Sequence, residues 1–95
     1  MVRITINETI IKVYEDGTIS RKMKSGKWKE IKNSQNHCKG YNVILIEKKQ
    51  YMRSKLIVHA FLNITLDDKS IYICHKDNNK LNTELSNLKI MKKHL

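Results

Sequence analysis

Through the first half of this chain apolar and polar residues alternate in short runs, and the spacing becomes helical only once. Thr9 to Tyr14 and Thr18 to Met23 flank Glu15-Asp16-Gly17. A period of two on either side of Asp-Gly predicts a β-hairpin, with the two turn residues at positive φ. Lys24 to Gly26 supply a second turn, after which Trp28, Ile31 and the Gly40-Tyr41 step lead into Asn42 to Ile46. The β-branched residues there favour a strand, Glu47 to Gln50 turn the chain, and Tyr51-Met52-Arg53 return as its partner. From Ser54 to Leu62 the positions of Leu56, Ile57, Ala60 and Phe61 fit a period of 3.6, which predicts a short, mostly buried helix capped by Ser54. Asn63 to Lys69 then read as a loop, Ser70 to Cys74 as a strand, His75 to Asn87 as a long polar loop and Leu88 to Met91 as a strand. The last four residues, Lys92-Lys93-His94-Leu95, would begin a further helix. Trp28, Tyr41 and Phe61 are assigned to the core, and Cys38 is expected to be half-buried.

Length adds a bound to this pattern: 95 residues make one domain with a modest core. No repeat or linker divides it, although residues 1–39 read as a β-hairpin extension to residues 40–95. Hydrophobic content of 40% keeps the chain out of the disordered class. Charge changes the picture more. Nineteen Lys and Arg against nine Asp and Glu give a formal net charge of +10, so the expected partner is a polyanion. No apolar run approaches the ~20 residues of a membrane span, and the first residues lack the apolar stretch of a signal peptide. The expectation is a soluble, intracellular protein with no membrane partner.

One stretch argues for chemistry. Ile71-Tyr72-Ile73 is followed by Cys74-His75-Lys76-Asp77-Asn78-Asn79, and apolar residues resume after Asn87. A histidine closing a strand, beside an Asn- and Asp-rich loop, can take a proton from water near neutral pH. An asparagine at the far end of that loop offers both a donor and an acceptor to hold it. The pairs His37-Cys38 and Cys74-His75 also invite a zinc site, but neighbours on an extended strand point to opposite faces and the usual spacings are absent.

Residues 40–90 resemble the HNH (ββα-metal) nuclease family, in particular its small homing-endonuclease branch. The resemblance rests on the Gly40-Tyr41 strand start, the segment Ser54-Lys55-Leu56-Ile57-Val58-His59-Ala60-Phe61, and the ordered His75, Asp77, Asn78, Asn79, Asn82 and Asn87-Leu88. It implies an α+β fold: N-terminal β-hairpins, a short helix, then a ββα-metal hairpin motif with a truncated or missing final helix. It further implies metal-dependent hydrolysis of DNA phosphodiester bonds with His75 as general base and Asn87 as its orienting partner. Asn78 stands near the family's glycine, where positive φ is needed. The cofactor implied is a divalent cation, Mg²⁺ or else Mn²⁺, with Cys74 and His94 at or near the ligand positions. Cys74 is a soft thiol where the family carries Asp or Asn. Arg53, Lys55, Lys76, Lys80, Lys89, Lys92 and Lys93 surround the site and are the expected DNA-backbone contacts. The alternative expectation is a catalytically impaired HNH-like domain that serves as a basic DNA-binding module.

Overall fold

The computed structural model describes residues 1–93. Its first part is a four-stranded antiparallel meander, β1 (Val2–Ile6), β2 (Thr9–Val13), β3 (Ile19–Lys22) and β4 (Trp28–Glu30), in that order across the sheet. β1 had no counterpart in the sequence reading. It forms because Ile4 and Ile6 lie on the face of Ile11 and Val13, with Ile4 opposite Ile11 in the register. The turn between β2 and β3 is one residue longer than the expected two-residue type and needs only one left-handed position. Gly17 alone takes positive φ, at 94°, while the Gly17 N–H bonds to the Tyr14 carbonyl and the Tyr14 N–H to the Thr18 carbonyl. That is a three-residue loop closed by a left-handed glycine. Lys24-Ser25-Gly26 repeats it, with Gly26 at 87° and the same two bonds around Met23.

β5 (Val43–Ile46) and β6 (Lys49–Met52) form a separate hairpin through Glu47 and Lys48, both at positive φ. The one α-helix among the described residues, α1 (Arg53–Leu62), follows directly. Ser54 does not cap it: Met52 is the cap residue with no side-chain bond, and the Ser54 hydroxyl is buried without a partner. Asn63 ends the helix in the left-handed conformation. β7 (Ile71–His75) and β8 (Leu88–Lys92) pair as a third small sheet. The core collects Ile6, Ile11, Val13 and Ile19 from the meander, Ile44 and Ile46 from β5, Leu56, Ile57 and Val58 from α1, and Leu88 from β8.

The expected ββα-metal architecture is therefore corrected. The chain forms small antiparallel sheets with one helix, and no helix follows β8 among the described residues to complete a ββα unit. The helix that is present precedes the hairpin and packs on β1, β2 and β6 instead. Apolar area decides this: Leu56, Ile57 and Val58 are fully buried in the core, whereas the end of β8 and the described residue after it offer only Lys92 and Lys93, both exposed. Among the described residues no helix is long and apolar enough to cross a membrane.

Candidate functional site around His75

Strand parity separates the two residues that open the signature. His75 stands opposite Leu88, and both are buried; Cys74 stands opposite Lys89 on the other face. Just beyond, the Lys76 N–H donates to the Asn87 carbonyl at 2.8 Å and closes the base of the loop. The loop then organises around one carboxylate. Asn87 donates to Asp77 Oδ1 at 2.9 Å and to the Asn82 carbonyl at 2.9 Å, and its Oδ1 accepts the Asp77 N–H at 3.1 Å. Asn82 donates to Asp77 Oδ2 at 2.8 Å, and the Asn79 N–H reaches Asp77 Oδ1 at 2.8 Å. Asn78 turns the chain at φ 62° with its N–H on the His75 carbonyl, so the left-handed position expected there is present.

Asn87 thus holds the backbone on both sides of the loop rather than the imidazole of His75. Asp77 is held below the ordinary carboxylate range, first by the Asn82 amide and then by Asn79 and Asn87. His75 is pushed the other way from an exposed imidazole: burial lowers its pKa, Lys80 adds to this, and Asp77 opposes it. The ring is consequently neutral near pH 7. Its Nε2 is buried with no hydrogen-bond partner. The Tyr41 ring lies 6.2 Å from it between centroids, His37 lies 6.0 Å beyond Tyr41, and the Lys80 ammonium sits 4.9 Å from the Tyr41 ring while donating to the Lys39 carbonyl at 2.7 Å. A neutral imidazole is a proton acceptor, yet Nε2 is shut from solvent, so base catalysis through that atom requires its surroundings to open.

Among the described residues, the groups around His75 do not fit a divalent cation. Among the described residues no three of His, Cys, Asp or Glu converge as a metal site. Cys74 faces away from His75, and both oxygens of Asp77 are already occupied by amides. Mg²⁺ demands several free oxygens in near-octahedral array. His94, the other expected ligand, lies outside the described residues.

The expected DNA contacts divide. Lys76, Lys89, Lys92 and Lys93 are exposed along the hairpin. Lys80 is exposed but lies over Tyr41, and the half-buried Lys55 donates to the Asp68 carbonyl at 3.0 Å. Arg53 does not belong with them. It is 2% exposed, and its guanidinium bonds the Gly17 and Ile31 carbonyls and Asn42 Oδ1 inside the protein. Sequence reasoning also missed Tyr41 as a neighbour of His75 by assigning it to the core. Trp28 is likewise half-buried on the outside of the meander, and Cys38 is exposed. Compared with protein-family models, with curated proteins and with solved structures, the chain finds no match.

The loop gives a pH signature. Since the folded pKa of Asp77 lies below its unfolded value, its contribution is complete above the unfolded carboxylate pKa and is lost as pH falls through the folded one. His75, also depressed in the fold, adds a decline that starts as pH drops below about 6.5, where the unfolded chain takes up the proton. Urea titrations across pH should show stability falling towards acid in both windows. Asn82→Ala removes the largest cause acting on Asp77 and should flatten the lower window; an unchanged acid limb would contradict this account.

Proposed function

We propose that this domain binds DNA through its phosphate backbone, with the β7–β8 hairpin and the 76–87 loop as the docking edge. One observation carries the reading: the chain has a net charge of +10, and among the described residues only Lys49 pairs with a carboxylate, Asp67 at 3.3 Å. The remaining positive field is uncompensated and exposed lysines crowd one hairpin, which favours a polyanion over a neutral or acidic partner. Backbone contacts of this kind position without reading sequence, in keeping with a chain that has three arginines in all and one of them buried.

Duplex binding measured by anisotropy against salt tests this directly. If Lys76, Lys80, Lys89, Lys92 and Lys93 each meet a phosphate, log K falls with log salt at a slope of about −4 to −5. Replacing Lys76, Lys89 and Lys92 by Ser should reduce the slope by roughly 3, at about 0.9 per contact. A response flat with salt removes the reading.

A second reading, a DNA endonuclease with His75 as general base, is favoured by the neutral imidazole at the end of β7 beside a loop fixed by Asn87. Supercoiled plasmid incubated with Mg²⁺ or Mn²⁺, next to a His75→Ala control, separates the two. Metal-dependent nicking that His75→Ala abolishes establishes hydrolysis; equal traces in both leave DNA binding alone.

A further inference from the structure

The outward face of the meander carries a cluster that the hairpin site does not use. Residues paired across antiparallel strands share a face, so Arg3 and its partner Lys12, Ser20 opposite Lys12, and Lys22 with its partner Trp28 all lie on the same side. The other side holds Ile11, Val13 and Ile19, each fully buried. Trp28 is half-buried among the cations: the Lys12 ammonium is 4.1 Å from the centre of its ring and the Arg3 guanidinium 5.5 Å. Two cations directly opposite one another on neighbouring strands repel. No carboxylate pairs with either one among the described residues, and Glu30 is the one acid on this face. The indole offsets part of that repulsion through its π face, and an anion bound between the cations would offset more.

We propose that this face is a second DNA contact, with phosphates on Arg3, Lys12 and Lys22 and the free part of the Trp28 indole packed against a base or sugar. The assignment rests on the reading of the domain as DNA-binding and extends it to a second surface. Charge complementarity selects the occupant: a sheet that groups cations around an aromatic ring matches a strand presenting phosphates at its edge and flat rings between them.

Trp28 is the only tryptophan, so its emission reports on this face alone. The full chain should be titrated with short duplex and single-stranded DNA, following tryptophan emission and anisotropy of the labelled DNA together. The expected result is an emission change that saturates with the anisotropy. An Arg3→Ser/Lys12→Ser variant, its fold checked by far-UV circular dichroism, should bind ~10-fold more weakly at physiological salt and lose about 2 from the salt slope. Binding that depends on the hairpin lysines while Trp28 emission and the double variant's affinity stay unchanged overturns the second contact and spares the first. No salt-dependent binding by anisotropy overturns both.

Discussion

Replacing Arg53 by methionine should destabilise the domain by about 3 kcal/mol or more, a large fraction of what a chain of this size possesses. The side chain sits where three separate segments meet. Its Nε donates to the Gly17 carbonyl at 2.9 Å, in the β2–β3 turn, and Nη1 donates to the Ile31 carbonyl at 3.0 Å, just past β4. The same Nη1 reaches Asn42 Oδ1 at 3.1 Å, before β5, while the Arg53 N–H donates to the Asn42 carbonyl. Asn42 is itself buried and donates to the Ser34 carbonyl at 2.6 Å. Methionine fills similar volume but leaves these acceptors without a donor, and an unsatisfied buried acceptor costs ~1–3 kcal/mol. Burial lowers the pKa of the guanidinium, and Glu30 followed by Asp16 counters this, so the group stays charged. Thermal and urea unfolding should show the midpoint falling by ~12–20 °C. Arg53→Lys should recover only part of it, because a single ammonium cannot span the planar fork. A loss below ~1 kcal/mol would mean that water replaces the guanidinium at this junction.

Gly17→Ala should cost about 2–4 kcal/mol, from two sources that a companion variant separates. Gly17 has φ 94°, and a Cβ there would lie 2.6 Å from Thr83 Oγ1 and 3.0 Å from the Thr83 carbonyl carbon. Thr83 is buried and belongs to the loop that follows His75; two residues on, the Leu85 N–H donates to the Glu15 carbonyl at 2.7 Å. The added methyl would push the β2–β3 turn and the 77–87 loop apart. Gly26 has nearly the same φ, 87°, but nothing within 4 Å of the corresponding Cβ. Gly26→Ala therefore carries the conformational cost alone, ~1–2 kcal/mol. The difference between the two variants, measured by urea unfolding, is the steric term. Equal losses would show that Thr83 moves aside freely.

Gly17 lies where the candidate site is joined to the rest of the protein, and this join was the least legible part of the chain. The hairpin β2–β3, the β5–β6 pair, α1 and β7–β8 were readable because each owes its existence to local signals: alternation, a left-handed turn residue, or a 3.6-residue period. The internal order of the loop was partly readable, since Asn78 at positive φ follows from residue type. β1 and β4 were not. Val2 to Ile6 alternates as a strand should, but its pairing is made only when Ile4 meets Ile11, and Trp28–Glu30 is too short to declare itself. Arg53 looked like a surface cation beside a basic helix; nothing near it in the chain shows that Gly17, Ile31 and Asn42 will supply acceptors from up to 36 residues away.

What the sequence by itself determined is the strongly positive charge, the strand-loop-strand that carries His75 and Asn87, and the turn chemistry around them. These depend on residue type and on neighbours within a few positions. The tertiary structure alone decided that α1 covers the meander rather than the hairpin, that Asn87 secures Asp77 and the loop backbone instead of the imidazole, and that Arg53 is internal while Trp28 faces outward among cations. The physical reason is that burial and acceptor supply are set by segments distant in the chain, and no local pattern encodes which of them will arrive.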